Sequence, residues 1–370
     1  MIPSPFVDVI VIGAGLSGLQ AAVDLDKAGL SYIVLEANDR VGGKTLSVPA
    51  ATGGGLVELG AAWINDSPER DRTEGLSLDQ SNGTTHAIPY GQFGDFTDEQ
   101  LAEILVVMTK LQEYVERSNL GHPHLGPDAE KLDSMTALDF ARKEFGIAEV
   151  LVTRLARDLL GVEADELSAL FLFNYIKSGT SLENISSDTK DGGQYLRNRQ
   201  GNEMFAIKLA AKLDRKKTKL NSPVVKIIQD KKGYGLISFT RDTCVPEDKQ
   251  YSITCFHVGQ PGRKWCQLSE QERKDTVVKQ FNDAFGTVVD KVPEPIKIIE
   301  KDWLKDPWFL GGPSTVMKPG LLTGAGEFIR DPFKNIHFIG TETSIVWKGY
   351  MEGAIRSGIR GAHQVTDALG

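Results

Sequence analysis

The chain has 370 residues, of which 41% are hydrophobic and 25% are charged, a composition typical of a globular protein with room for two domains. Its formal net charge is −8 and it contains no long run of Lys and Arg, so we do not expect nucleic acid as a partner. The first residues form too short an apolar run for a secretion signal and the last ones carry no apolar tail, so we expect no membrane anchor.

The three cysteines are Cys244, Cys255 and Cys266, an odd number without a CxxC pair. This spacing argues against a disulfide framework and against a zinc site. We therefore expect free thiols, no metal, and an intracellular location in the cytoplasm or the peroxisome.

The stretch from Val7 to Leu19 predicts a phosphate-binding turn. Its apolar, β-branched run 7–12 is typical of a buried parallel strand, and apolar residues return at helical spacing after it. Between the two lies the pattern Gly13-x-Gly15-x-x-Gly18. The first glycine permits the tight turn, the second lets the backbone approach a pyrophosphate, and the third lets the helix pack closely on the strand. The amino end of that helix favours phosphate.

Two further features make a dinucleotide more specific than a plain glycine-rich turn, which is the alternative. A second predicted strand, 31–35, ends in Glu36, where a carboxylate can bind ribose hydroxyls. Directly after it comes Arg40-Val41-Gly42-Gly43-Lys44. A nicotinamide domain does not need this second glycine pair, whereas a long flavin dinucleotide lying across the loop does. The pattern therefore favours FAD.

The middle of the chain is predicted to be rich in helices. In Glu58-Leu59-Gly60-Ala61-Ala62-Trp63 a short strand runs into small residues, so that the backbone can lie close to a flat or bulky group. Amphipathic patterns predict helices over 97–117, 134–145, 147–160, 168–178 and 200–213. A β-rich region follows, with predicted strands at 219–228, 235–239, 251–258 and 296–300.

The last third of the chain contains a helix signal and two segments that look functional. Ser269 and Glu272 form a predicted capping box for a helix that ends at Gly286. The segment 303–313 is rich in aromatic residues and glycine, and 336–343 reads as a strand that leads to a polar loop. A final helix is predicted over 351–369.

Together these motifs resemble those of the flavin-dependent amine oxidases, most closely the fungal monoamine oxidases. The resemblance runs from Asp8 to the end of the chain. Its most specific parts are the glycine-rich start with Glu36 and Arg40–Lys44, the run Glu58–Trp63, and Gly340-Thr341-Glu342-Thr343 followed by Trp347-x-Gly349-Tyr350-Met351-Glu352-Gly353-Ala354.

The resemblance implies an α/β fold with two domains. One is a Rossmann-like FAD-binding domain with the GxGxxG motif, assembled from the discontinuous segments 1–78, 191–233 and 303–370. The other is an α+β substrate domain formed by 79–190 and 234–302.

The resemblance also implies which residues contact FAD. The pyrophosphate would lie at Gly13, Gly15, Ser17 and Gly18, the adenosine ribose at Glu36, and the neighbouring phosphate and ribityl section at Arg40, Gly43 and Lys44. Further implied contacts come from Ala61, Trp63, Val224, Gly340, Glu342 and Met351. The cysteine that holds the flavin covalently in animal enzymes would fall near Pro313, so FAD is expected to be non-covalent.

For the reaction, the resemblance implies that a hydride passes from the α-carbon of an amine to flavin N5. The imine then hydrolyses to an aldehyde and ammonia, and O₂ is reduced to hydrogen peroxide. Tyr350 would form one wall of an aromatic cage, although a packing role is its alternative, and Gln194 would line the substrate cavity. The other wall falls near Ser314 and is left open or passes to Trp308 or Phe309. The expected partners are an amine and O₂, and a homo-oligomer stays open.

The chain is shorter than the proteins it resembles at two places. One lies between Glu69 and Thr73, and the other at Gly233-Tyr234, where relatives carry a long strand-rich segment with the lysine that holds a water at flavin N5. If this junction is real, nothing at the matching place replaces that lysine, although Lys301, Lys305 or Lys348 could reach in from the late segments, and reoxidation by O₂ should be slow. Two alternatives to a monoamine oxidase follow: a shortened, weak or inactive flavin-binding relative, and a polyamine or L-amino-acid oxidase.

Overall fold

The computed structural model describes residues 7–51, 53–64, 74–79, 84–89, 97–146, 149–187, 192–194, 197–222, 239–244, 249–286 and 291–369. The predicted contact of Val224, both short junctions and the turn around Gly233 lie outside these residues. None of the helices within the described ranges has the length and hydropathy needed to cross a bilayer.

A parallel sheet forms the centre of the first half of the fold. Its strands are β1 (Val9–Ile12), β2 (Tyr32–Leu35) and β7 (Thr218–Lys219), in the order β1-β2-β7. The helix α1 (Leu16–Lys27) packs between this sheet and two later helices, α8 (Glu203–Ala210) and α12 (Met351–Leu369). This is the strand–turn–helix arrangement that the glycine pattern predicts.

The face of this sheet that carries Ile10 and Ile12 is incompletely covered, since Ile12 lines a cavity and the paired residues Ile33 and Leu35 of β2 are half-buried. Ile10 and Ile12 alternate with the buried Val11 along β1, and they are 58% and 64% exposed. Parallel sheets are usually covered on both faces. The buried side of β1, together with α1, α8 and α12, makes up the first hydrophobic core.

The second core is helical. Its largest members are α2 (Asp98–Arg117), α4 (Ala137–Phe145), α5 (Glu149–Leu160) and α6 (Ala169–Ser178), and α6 is buried along nearly its whole length. Two shorter helices, α3 (Ala129–Asp133) and α7 (Leu182–Ser186), pack against them.

Short elements complete the described structure. Three antiparallel pairs are formed by β3 (Ser47–Pro49) with β4 (Leu56–Glu58), β5 (Glu74–Asp79) with β6 (Thr84–Pro89), and β8 (Phe239–Asp242) with β9 (Ile253–Phe256). The remaining α-helices are α9 (Gly259–Trp265), α10 (Glu270–Phe285) and α11 (Leu321–Ala325). Single 3₁₀ turns lie at Pro123–Leu125, Arg215–Lys217, Gly326–Ile329 and Thr341–Thr343.

Most helix predictions agree with the structure, and the predicted capping box of α10 forms with both of its hydrogen bonds. Two strand predictions are wrong. The segment 296–300 has no strand pairing and lines a cavity instead, and 336–339 forms only an isolated bridge between Phe333 and Ile336. An apolar run alone does not distinguish a strand from a cavity wall. The two cores are compatible with two domains, and the domain boundaries stay a prediction.

A buried lysine joins the two cores. The Lys348 ammonium, 5% exposed, donates to Asn174 Oδ1 in α6 at 2.6 Å, and the Lys348 backbone N–H donates to Ser178 Oγ at 3.1 Å. Asn174 in turn donates to the carbonyl of Asn119, just beyond the end of α2. Burial, together with the positive charge of Arg330, lowers the pKa of Lys348 to about 8. The loop before α12 is therefore fixed to α6 through this side chain.

This pKa predicts a pH dependence of stability. Between pH about 8 and 10.5, the usual lysine value, the unfolded chain binds a proton at Lys348 that the folded chain does not. The contribution of Lys348 to the free energy of unfolding should therefore rise with pH across this window, by on the order of 1.4 kcal/mol per unit of pKa difference. The thiols of Cys255 and Cys266, whose pKa values are raised, act in the opposite direction, so the contribution of Lys348 has to be measured as a difference. In urea denaturation, the free energy of unfolding of the unmodified protein minus that of Lys348→Met should increase with pH across the window.

The matched control is Lys274→Met, which removes a lysine from an exposed ion pair on α10. This variant should show the same pH dependence as the unmodified protein. A Lys348→Met curve that runs parallel to that of the unmodified protein would contradict the prediction.

Candidate active site

A cavity of about 1390 Å³ lies where the two cores meet. It exceeds the range of roughly 300–1,000 Å³ that is usual for small-ligand pockets, so it has room for a dinucleotide and a substrate. The predicted residues that line it are Gly13, Gly15, Ser17, Gly18, Gly43, Lys44, Ala61, Trp63, Gln194, Tyr350 and Met351. Glu36, Arg40, Gly340, Glu342 and Trp308 do not line it.

The glycine turn has the geometry that phosphate binding requires. Gly13 has φ +94°, a conformation that favours glycine, and its N–H donates to the carbonyl of Leu35 at 2.7 Å. Gly15 caps α1, and a Cβ placed there would meet nothing within 4 Å. A Cβ on Gly18 would lie 2.0 Å from the Gly13 carbonyl oxygen, so only glycine lets α1 approach β1 this closely. The open space at Gly15, beside the amino end of α1, fits a pyrophosphate.

Glu36 is buried at the end of β2, behind the glycine turn. Its Oε2 accepts from the Ala14 N–H at 2.6 Å, and its Oε1 accepts from the backbone and side-chain nitrogens of Asn38 at 2.8 and 3.0 Å. These bonds hold the carboxylate in one orientation. A carboxylate has about four acceptor sites, so capacity for a hydroxyl donor remains. The ribose contact of Glu36 stays a prediction.

The second glycine loop lies directly against the first turn. Gly42 and Gly43 have φ +111° and +61°, and the Gly42 N–H donates to the carbonyl of Ala14 at 2.8 Å. Lys44 follows, with its ammonium 5.7 Å from the ring centre of Phe309. Burial lowers the pKa of Lys44. The loop thus places a partly desolvated cation on the cavity wall, which suits a phosphate.

Tyr350 stands at the start of α12 with its ring held from two sides. Its ring centre is 6.3 Å from that of Tyr175, nearly parallel to it, and 5.1 Å from that of Trp347. Gln194 Nε2 donates to Tyr350 Oη at 3.4 Å, so the two predicted substrate residues meet. Burial raises the pKa of Tyr350 to about 12, so its phenol stays protonated at neutral pH.

The opposite wall contains Phe309, while its neighbour Trp308 is 43% exposed and turned away from the cavity. Phe309 packs edge to face with Trp303, their ring centres 5.1 Å apart, and Trp303 Nε1 donates to the carbonyl of Leu59 at 2.8 Å. Of the two candidates Trp308 and Phe309, Phe309 is therefore the one that lines the cavity, together with Trp303.

Sequence reasoning missed the far end of the cavity. Residues of β9, α9 and α10 line it, including His257 and Trp265, whose rings stack with centres 4.2 Å apart. No motif marks these residues, because packing alone brings them to the cavity.

Both arginines that line the described cavity are paired. Arg157 meets Glu163 at 2.8 Å, and Arg263 pairs with Glu166. The two carboxylates nearest the far end, Glu300 and Asp302, are also engaged, Glu300 with Arg273 and Asp302 with backbone N–H groups and the Cys266 thiol.

The lysines considered as replacements at the flavin differ in position. Of Lys301, Lys305 and Lys348, only Lys301 lines the cavity. Its ammonium lies 2.7 Å from Asp306 Oδ2 and 4.9 Å from the ring centre of Trp303. Slow reoxidation by O₂ stays a prediction.

The three cysteines all belong to the described residues, form no disulfide and line the cavity. Burial raises the pKa of Cys255 to about 11 and that of Cys266 to about 12, the latter also through the charge of Asp302. A thiol that stays protonated is a poor nucleophile.

Comparison with known proteins agrees with this geometry. The sequence model of the flavin containing amine oxidoreductases matches residues 16–244 and 237–366. A probable flavin-containing monoamine oxidase A of Dictyostelium discoideum is 25% identical over 459 aligned residues, which cover 99% of each chain. The human flavin-containing amine oxidase B is 25% identical over 98% of this chain and 86% of its own length.

Among solved structures, the cyclohexylamine oxidase from Brevibacterium oxydans IH-35A superposes with a TM-score of 0.84. It is 25% identical in sequence, and the superposition covers 99% of this chain and 100% of the cyclohexylamine oxidase chain. The Dictyostelium alignment spans 459 positions against the 370 residues of this chain, so the relative has residues opposite internal gaps here. The two matches of the family meet at residues 237–244, next to the junction Gly233-Tyr234.

The glycine geometry predicts that two similar substitutions have different effects. Gly15→Ala should leave the free energy of unfolding within about 1 kcal/mol, because its Cβ meets open space. The methyl group would occupy the phosphate position, so FAD binding should weaken roughly tenfold or more. Gly18→Ala should instead destabilise the protein by about 1–3 kcal/mol or more, because its Cβ meets backbone.

Urea denaturation and titration of the FAD-free protein with FAD would measure the two effects separately. The assignment of Gly15 is wrong if its variant binds FAD as the unmodified protein does.

We also predict that FAD is bound non-covalently, because the position near Pro313 has no cysteine and the cavity thiols stay protonated. Acid precipitation should release all of the yellow colour into the supernatant. Colour that stays with the pellet after denaturation would contradict this.

Proposed function

Since the chain belongs to the flavin containing amine oxidoreductase family, we propose that it is an FAD-dependent oxidase of small or aliphatic, primary or secondary monoamines. The observation that carries this proposal is the single cavity in which the glycine turn of α1, Tyr350 and Gln194 meet. An amine held at Tyr350 therefore shares one enclosed space with the dinucleotide site.

When bound, FAD supplies the acceptor for the hydride that leaves the amine α-carbon and passes the electrons to O₂, which gives hydrogen peroxide. The residues of this chain orient the amine and keep water away. Tyr350 and Phe309 offer ring surfaces to its apolar part, and Gln194 offers a polar group. Because Tyr350 stays protonated, it offers no negative charge to an ammonium group. Burial in the cavity therefore favours the uncharged form of the amine over its ammonium form. The imine is later hydrolysed by water to the aldehyde and ammonia.

The charges around the cavity support a monoamine over the two other substrate classes. An amino acid needs an arginine for its carboxylate, and both described arginines of the cavity, Arg157 and Arg263, are already paired. A polyamine needs a carboxylate for its second ammonium, and the cavity residues Glu300 and Asp302 are engaged by other groups. Glu294 also lines the cavity but is exposed, and an ion pair with an exposed carboxylate stabilises little. An amino acid would have to break an ion pair of Arg157 or Arg263, and a diamine would have to displace an existing partner or rely on Glu294.

One observation keeps a shortened relative with weak or no turnover as a second candidate. The relatives have residues opposite internal gaps in this chain. In addition, Ile10 and Ile12 of β1 are more than half exposed, so the described residues cover this part of the sheet incompletely. This candidate also binds FAD but does not pass electrons from an amine.

We also propose a reducing compartment, the cytoplasm or the peroxisome, from the odd number of cysteines without CxxC spacing. Homo-oligomerisation stays a prediction from the resemblance.

The experiment that separates these candidates is anaerobic mixing of the yellow protein with single amines. We expect a simple alkyl monoamine to bleach the visible absorbance of the flavin. A diamine of similar length and an L-amino acid should bleach it far more slowly, since neither finds a buried, unengaged partner for its second charge among the described cavity residues. No bleaching by any amine would favour the inactive relative, and faster bleaching by the diamine or the amino acid would refute the substrate class.

The position of Tyr350 predicts a selective loss of catalysis. Tyr350→Ala should lower kcat/KM by roughly 10- to 100-fold, because the amine loses the surface that orients it, while FAD stays bound. Tyr251→Ala, which removes an exposed ring from the outer part of the same cavity, should change kcat/KM much less. Loss of FAD from Tyr350→Ala in proportion to its loss of activity would show that Tyr350 supports the fold instead.

A further inference from the structure

The loop that carries Gly43 and Lys44 to the cavity is organised around one guanidinium. Arg40 donates to the carbonyls of Gly43 at 2.6 Å, Thr45 at 2.9 Å and Val41 at 3.1 Å. The side chain is partly buried in the loop and does not line the cavity. In this position the guanidinium bonds the backbone of its own loop and does not face the cavity.

Glu203 holds this guanidinium from the other side. Its Oε1 lies 3.0 Å from Arg40 Nη1, and its Oε2 accepts from the backbone N–H of Ser47 at 3.2 Å. The backbone N–H of Glu203 donates to Ser47 Oγ, also at 3.2 Å. One carboxylate therefore joins the two ends of the segment 40–47.

Glu203 itself is well anchored. It is the first residue of α8, where the positive end of the helix stabilises a carboxylate. The helix α8 packs on α1, whose amino end forms the pyrophosphate side of the cavity. Because Glu203 belongs to α8 and bonds Arg40 and Ser47, it fixes the loop that lies against Gly15 relative to α8 and α1.

The loop needs such a fixed partner. Gly42 and Gly43 both have positive φ, and glycine loses more conformational freedom on ordering than any other residue. A Cβ on Gly43 would lie 3.3 Å from the Gly15 Cα, so a shift of the loop would change the width of the cavity at the phosphates.

We propose that Glu203 is a positioning residue for FAD, which acts through Arg40 to hold the loop 40–45 in its binding conformation. The inference rests on the FAD cofactor of the family and is independent of the amine.

The test is titration of the FAD-free protein with FAD, followed by flavin fluorescence, in Glu203→Gln and Glu203→Ala. Glutamine keeps the size of the side chain but loses its charge. If Glu203 positions the loop, both variants should bind FAD more weakly, Glu203→Ala by on the order of tenfold, the factor expected from one hydrogen bond between charged groups. If Arg40 instead reaches the phosphates, Glu203→Gln frees it and removes a nearby negative charge, so FAD should bind more tightly. That result would overturn the proposal.

A double-mutant cycle separates positioning from a general structural role. If Glu203 acts through Arg40, Arg40→Ala combined with Glu203→Ala should weaken FAD binding no more than Arg40→Ala alone. Additive losses would overturn the proposal, as would an unchanged dissociation constant in Glu203→Ala. The matched control is Glu270→Ala. Like Glu203, Glu270 is the first residue of its helix, α10, and forms an ion pair, in this case with Lys274. It should leave FAD binding unchanged.

Discussion

The close contact of α1 with β1 is the constraint on which the rest of the structure depends. With a Cβ at Gly18 only 2.0 Å from the Gly13 carbonyl oxygen, the helix and the strand touch at backbone level. This contact fixes where the amino end of α1 points, and α12 and α8 then pack on α1. The dinucleotide side of the cavity is therefore set by backbone geometry before any polar side chain contributes.

The substrate side is set by a different kind of contact. The loop before α12 crosses from the first core to the second, where the Trp347 N–H donates to the Ser178 carbonyl at 2.8 Å and Lys348 reaches Asn174. Tyr350 follows directly and turns back towards the cavity. Burying a cation whose partner is a neutral amide costs free energy. The contact between Lys348 and Asn174 therefore lowers the stability of the fold, while it fixes the position of Tyr350.

Local geometry explains which parts of the site could be predicted from the sequence. The glycine turn, Glu36 and the start of α12 depend on neighbouring residues, and their patterns identify them. The wall formed by β9, α9 and α10 depends on packing between segments far apart in the chain, which no local pattern encodes. The sequence does not distinguish Trp308 from Phe309, because both are aromatic and lie in one turn. Only the folded chain, in which the Phe309 ring packs on Trp303, shows which of the two lines the cavity.

The three thiols on the cavity wall have a consequence for the lifetime of the enzyme. Hydrogen peroxide formed by the proposed oxidase reaction would arise in the cavity that Cys255 and Cys266 line, and peroxide attacks cysteine mainly as the thiolate. Since burial raises the pKa of both thiols to about 11 and about 12, almost none of either is ionised at neutral pH. The burial that suits the apolar part of the amine thus also slows the oxidation of these two thiols by hydrogen peroxide formed in the cavity.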